Sequence, residues 1–313
     1  MRLLLIISLA LSLLGCADSS DQSRQAESTQ VSVNQAMGGA VAEGFKRVTG
    51  PRPMMFPQDH GPHPDYATEW WYFTGNLETQ AGRRFGYQFT LFRIGLAPPG
   101  AGPERGSDWR ANEIYMGHLA VSDLEAGEHH SRERFARSAA GLAGAQAKPF
   151  RVWLNHWQIT GSGDPFPLRI EAEQDGLSIK IDLKRPDKES VLQGDKGYSQ
   201  KGLEVGNASY YYSYTRIPTQ GSIKIDDAEF QVSGASWFDR EWSSSALESD
   251  QAGWDWFSLQ LDDGRDLMIY RLRYLDATAH PMSAGVLVDA AGQVTHLMAS
   301  DFQLEPTREW RSA

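Results

Sequence analysis

Glu69 is followed by four consecutive aromatic residues, Trp70, Trp71, Tyr72 and Phe73, and then by Thr74 and Gly75. Rings of this size favour an extended strand. In a strand alternate side chains share a face, so Glu69, Trp71 and Phe73 point one way and Trp70 and Tyr72 the other. Both faces are large and apolar, so the strand must be covered on both sides. A barrel that holds a ligand in its lumen, with something packed outside, meets that demand. The lead-in, residues 56–65, carries three prolines and a glycine and reads as a stiff irregular segment. A buried carboxylate needs a partner, and the next strand, residues 83–94, offers Arg93 and Gln88. Glu69 is then either a structural ion pair at the barrel end or an acid facing the ligand. His60 and His63 flank Gly-Pro, which rules out a helix face, and neither HExxH nor cysteine ligands accompany them. They suit loop packing or a site without metal better than a metal centre.

The same alternation recurs along the chain. Strands are expected over residues 83–94, 113–123, 151–160, 168–173, 177–183, 207–216, 222–225, 229–233, 253–262, 266–274, 285–288 and 294–298. Asp175-Gly176 and Asp226-Asp227 supply turns. Residues 128–137 are charged and read as an edge or loop. Tyr210, Tyr212 and Tyr214 share one face. No stretch sustains a helical period, which argues for an all-β fold. A second β unit is expected to begin near Trp237. The rest of the chain is short for an eight-stranded barrel, which takes roughly 100 residues.

The N-terminus reads as a targeting segment. Met1-Arg2 precedes an apolar run over residues 3–14, and Leu13-Leu14-Gly15-Cys16 resembles a lipobox. Cleavage before Cys16 and acylation of its thiol and amine are expected. Ala17 favours the periplasmic face of the bacterial outer membrane over the inner membrane. Residues 16–44 are rich in Ser, Gln and Ala and read as a disordered tether. Forty acidic against thirty basic residues give a net charge of −10, which argues against nucleic acid as a partner. Cys16 is the one cysteine, so no disulfide forms within the chain. No G-x-S-x-G, P-loop or GxGxxG motif occurs.

Several ordered motifs carry a family resemblance: HGPHPDYATEWWYFTGNL, GYQFTLFR, YMGHLAVSD, RFARSAAGLAGA, WLNHW, LQGDKGYSQKG, NASYYYSYTR, SWFDREWSS and GWDWFSLQLDDGRDLMIYRLR. Together they resemble the AttH-like, carotenoid 1,2-hydratase-related, lipocalin-like proteins, from about residue 45 to the C-terminus. The resemblance implies two consecutive lipocalin-like antiparallel barrels, residues 45–236 and 237–313, the second truncated. It also implies company with ABC-type export permeases and, in the hydratases, a reaction carried by acidic and aromatic residues at the junction between barrels. Asp239 and Trp242 match those motif positions, whereas Arg240 and Glu241 stand where a histidine-bearing segment is expected.

Hydrating an isolated alkene starts with protonation by a carboxylic acid kept neutral near pH 7, which burial among rings achieves. Aromatic faces stabilise the cation, a carboxylate deprotonates the attacking water, and no cofactor or metal is needed. Asp239, Glu241 and Trp242 are the expected catalytic group if the chain is a hydratase. His60, His63, Glu69, Trp71, Tyr72, Arg93, Tyr212, Trp237, Trp254 and Trp256 are the expected ligand-binding residues. The favoured expectation is a lipid-anchored envelope protein that binds an apolar small molecule, lipid or peptide. The alternative is a cofactor-free hydro-lyase acting on an isoprenoid double bond.

Overall fold

Long antiparallel strands with alternating burial build most of the molecule. The computed structural model describes residues 43–101, 111–244 and 247–308. The expected signal segment, the Cys16 lipidation site and nearly all of the tether lie outside the described residues.

The main sheet contains β1 (Thr68–Glu78), β2 (Arg84–Gly95), β3 (Glu113–Asp123), β4 (Glu128–Arg137), β5 (Ala143–Gln146), β6 (Arg151–Leu154), β7 (Trp157–Gly161), β8 (Leu168–Gln174), β9 (Leu177–Leu183), β10 (Val191–Leu192), β11 (Tyr198–Gln200), β12 (Ala208–Ile225) and β13 (Ala228–Ser243). Its order is β4-β3-β2-β1-β13-β12-β9-β8-β7-β6-β5, with β10 and β11 also paired to β12. The sheet curls into a nearly closed antiparallel barrel. Where its two ends approach, Arg134 on β4 donates to Gln174 Oε1 of β8 at 3.1 Å. Gly117 on β3 permits the approach from inside, since a Cβ there would lie 2.9 Å from Leu154 and Trp157. The charged segment 128–137 is indeed an edge strand, which suits its polarity. Asp175 and Gly176 take φ of 46° and 80° in the expected β8–β9 turn.

A smaller sheet, β14 (Gln251–Gln260), β15 (Asp266–Tyr274), β16 (Ala284–Val288) and β17 (Val294–Met298), follows in simple order. One face packs on the outside of the barrel, where Met268, Tyr270, Leu272, Val286 and Val288 meet Tyr211, Trp237 and Val191. Asp266 pins the two together. It is fully buried and accepts from Thr215 Oγ1 at 2.8 Å, Lys188 Nζ at 2.9 Å and Arg216 Nε at 3.0 Å.

The expected unit boundary at 236/237 falls inside β13. Residues Trp237–Ser243 pair with β1 from Thr74 to Thr68, so the junction segment belongs to the barrel, and the smaller sheet begins at Gln251. The reason is register. β13 is 16 residues long and continues to find a full-length partner in β1.

The interior is lined by buried rings, among them Trp71, Phe73, Phe85, Phe89, Trp157, Tyr212, Phe238 and Trp242. At one end a polar network replaces them. Glu69 is fully buried and receives Arg93 Nε and Arg240 Nη2, as well as the His63 backbone N–H at 3.0 Å. Burial alone would raise its pKa, but Arg93 and Arg240 outweigh burial and hold it well below the carboxylate range. Arg93 Nη2 also donates to the His63 and Tyr66 carbonyls, at 2.9 and 2.5 Å, and Arg240 Nη2 to the Gly61 carbonyl at 2.6 Å. The 56–66 lead-in is thereby tied down as a cap across the barrel end.

Glu69 is thus the structural ion pair of the two possibilities. Replacing it by glutamine removes the carboxylate that the buried Arg240 pairs with and leaves Arg93 with Glu113 alone. Glu69→Gln should cost about 3–5 kcal/mol of unfolding free energy, measured by urea denaturation. An unchanged midpoint would contradict the role assigned to this group.

Candidate active site

The barrel's outer face and the smaller sheet do not meet everywhere. Between them lies a cavity of about 290 Å³. It exists because β1 and β13 send alternate side chains outward as well as inward. From β1 come Trp70 and Tyr72, from β2 Gln88 and Phe92, and from β3 His118. β12 and β13 add Ser209, Tyr211, Asp239, Glu241 and Ser243. Trp254 and Trp256 of β14, with Tyr270 and Leu272 of β15, form the opposite wall, and Lys201 and Leu247 complete the lining.

The acidic end is built by β13. Asp239 is 3% exposed. Its Oδ1 accepts from Ser213 Oγ at 2.5 Å and from Trp237 Nε1 at 2.8 Å. Burial pushes the carboxyl up to about 7; hydrogen bonds from Ser213 and Trp237 oppose this, and the nearby Glu241 charge adds to it. Asp239 therefore carries its proton for a good part of the time at neutral pH. Two residues on, Glu241 Oε1 accepts from Ser209 Oγ and faces Lys201 Nζ at 3.4 Å. Burial opposes the Lys201 charge, but Glu241 and Tyr270 outweigh it and raise its pKa. The same ammonium lies 4.1 Å from the Tyr270 ring centre. Tyr211 sits between the acids. Its hydroxyl receives Trp256 Nε1 at 3.3 Å, and burial next to Asp239 and Glu241 keeps it protonated. The Trp256 ring packs edge-on against Tyr72 at 5.3 Å. A neutral carboxylic acid, a carboxylate paired with an ammonium, and a set of ring faces thus converge on one space. Those are the elements of acid–base chemistry on an apolar substrate.

The residues expected from sequence divide between this cavity and the barrel interior. Asp239, Glu241, Tyr72, Trp254 and Trp256 line the cavity. Trp237 lines a neighbouring, more polar cavity with Thr74, Asn76, Ser258 and Gln260, and it orients Asp239. Trp242 does not join its expected catalytic partners. One residue past Glu241, it turns into the barrel and stacks on His63 at 3.8 Å. Glu69, Arg93, Trp71, His60, His63 and Tyr212 are likewise interior or capping residues. His60 Nδ1 lies 2.6 Å from the Tyr212 hydroxyl, and His63 Nε2 lies 3.1 Å from Asp59. They hold the cap or pack the barrel interior and do not line this cavity. Trp70, Lys201, Tyr211, Tyr270, Gln88, Phe92 and His118 were not anticipated. Trp70 and Tyr211 could have been, because they alternate with residues assigned to the interior. Lys201 and Tyr270 reach the cavity only through tertiary packing.

A model of the AttH-like family matches residues 47–313. The chain belongs to that family. A crystal structure of an AttH protein from Nitrosomonas europaea is 33% identical, with a TM-score of 0.75 over 86% of this chain and 80% of that one. Two further structures share the fold at 14% identity. Kievitone hydratase from Nectria haematococca has a TM-score of 0.56 over 82% of this chain and 73% of that one. CghA with Sch210972 has a TM-score of 0.52 over 88% and 72%. No curated protein matches the sequence.

The Asp239 environment of this AttH-like protein has a stability consequence. Its folded-state pKa, about 7, lies above the ordinary value of 3.8. The folded chain therefore binds this proton more tightly than the unfolded chain does. The associated stability is fully present below about pH 4 and is lost as pH rises to about 7, with an upper limit of about 4 kcal/mol. Asp239→Asn should raise the melting temperature at pH 8, and the gain should vanish by pH 4. A gain of the same size at both pH values would show that Asp239 is not protonated in the fold.

Proposed function

We propose that this protein hydrates an apolar, alkene-bearing small molecule bound in the cavity between barrel and smaller sheet, without an organic cofactor. The observation that carries this reading is Asp239: a buried, protonatable carboxyl at the wall of a ring-lined cavity. The Asp239 proton adds to one alkene carbon, forming a C–H bond and leaving a carbocation on the other. Trp70, Tyr72, Trp254 and Trp256 offer π faces to that cation. Water attacks the cationic carbon, its surplus proton passes to Glu241, and Glu241 then releases that proton to solvent as solvent returns one to Asp239. A hydratase among the fold neighbours supports the reading.

A carrier without turnover is the second reading. The pairing of Glu241 with Lys201 and Ser209 favours it, because a carboxylate so engaged is a weaker base. The carrier would take the same apolar molecules, lipids or peptides. In either role the sequence of residues 1–16 supports a lipid anchor at Cys16 on the periplasmic face of the outer membrane. From there the protein would serve an ABC-type export permease.

Incubation with acyclic isoprenoid alkenes in oxygen-labelled water, followed by mass spectrometry, separates the two readings. Hydration predicts one labelled water gained per product, slowed roughly 10²–10⁴-fold in Asp239→Asn. Binding without label incorporation in any product would leave the carrier. For the anchor, Cys16→Ser should move the protein from the membrane to the soluble envelope fraction; an unchanged distribution would refute lipidation at that residue.

A further inference from the structure

The cavity has a second polar end, opposite the acids. Strand register orders the lining across the barrel face. Asp239 pairs with Tyr72, Tyr72 with Thr90, and Thr90 with His118. Three strand spacings separate the first from the last, about 14 Å along the row. Trp70, Tyr72 and Phe92 floor the space between, and Gln88 stands beside His118 at the far end.

Both far-end side chains offer an acceptor. One N–H of the Gln88 amide donates to Thr90 Oγ1 at 2.9 Å; the amide oxygen is an acceptor and the second N–H a donor. His118 Nε2 faces Glu133 Oε1 at 3.6 Å, and the Phe92 ring lies edge-on at 5.4 Å. Burial lowers the His118 pKa, with Glu133 opposing, so the ring is neutral near pH 7. The carboxylate favours the tautomer with its proton on Nε2, and Nδ1 is then an acceptor. Acceptors on both side chains at the end of an apolar trough favour a hydrogen-bond donor, and the second Gln88 N–H suits that donor being a hydroxyl. Glu133 beside them disfavours an anion.

We propose that Gln88 and His118 are specificity-determining residues that accept a hydrogen bond from an uncharged hydroxyl at the far end of an elongated apolar ligand, about 14 Å from Asp239. The inference rests on the cavity as a small-molecule site and adds to it a substrate class: isoprenoid-like alcohols or phenols rather than hydrocarbons or acids.

The test compares farnesol, which carries a terminal hydroxyl, with farnesene, which lacks it. Binding to the purified chain is followed by quenching of tryptophan fluorescence, for which Trp70, Trp254 and Trp256 are placed. Wild type should bind farnesol about tenfold or more tightly than farnesene, as expected for two hydrogen bonds. Gln88→Leu and His118→Leu should each shrink that ratio, and the double variant should abolish it with farnesene affinity retained. Asp239→Asn should keep the ratio. Circular dichroism melts establish that each variant is folded. Equal affinities in wild type, a ratio indifferent to both substitutions, or no quenching by either probe would overturn the proposal. Selective binding without hydration would remove the hydratase reading and leave this one standing; hydration with no preference for the alcohol would do the reverse.

Discussion

One carboxylate holds the barrel end together. Glu69 is fully buried, so its charge is held by Arg93 and Arg240, which arrive from the two strands flanking β1. The three charges lock β2, β1 and β13 at one level, and the Nη2 groups of both arginines also reach the carbonyls of Gly61, His63 and Tyr66 in the cap. The guanidinium of Arg240 also lies 4.1 Å from the Trp71 ring centre. Removing one member strands the others, which is why such a group sets register more sharply than an apolar contact would.

The site depends on that register. Arg240 points into the barrel, so its neighbours Asp239 and Glu241 must point out. A slip of one residue would bury both acids in the lumen and turn Arg240 toward the smaller sheet. The smaller sheet then supplies what the barrel face lacks. Trp254, Trp256 and Tyr270 wall the cavity opposite the acids, and burial, with the nearby Glu241 charge adding to it, raises the Asp239 pKa. Asp266 matters to the cavity through the same route, because it fixes the covering sheet to β12.

Much of the fold was legible in the residue order. The alternation of Glu69, Trp71 and Phe73 against Trp70 and Tyr72 is realised in β1, and the Asp175-Gly176 and Asp226-Asp227 turns join the expected strands. The opposition of Arg240 to Asp239 and Glu241 followed from period two alone. The location of the cavity did not. Bulky rings on both faces of β1 announce two packed surfaces, but nothing in their spacing tells which of them is filled. Trp71, His63, Tyr212 and Trp242 fill one; Trp70 and Tyr72 border an opening in the other.

By itself the sequence determined the strand alternation, the all-β class, the acidic pair and Arg93 as one candidate partner of Glu69, because each depends on neighbours along a strand or across one hairpin; the second partner, Arg240, arrives from a strand distant in the chain. Only the tertiary structure decided that a ring-lined cavity opens outside the barrel and that Lys201, Tyr270, Gln88 and His118 border it. Those residues meet across strands distant in the chain, and the gap among them is set by how two curved sheets fail to touch, a quantity no local pattern encodes.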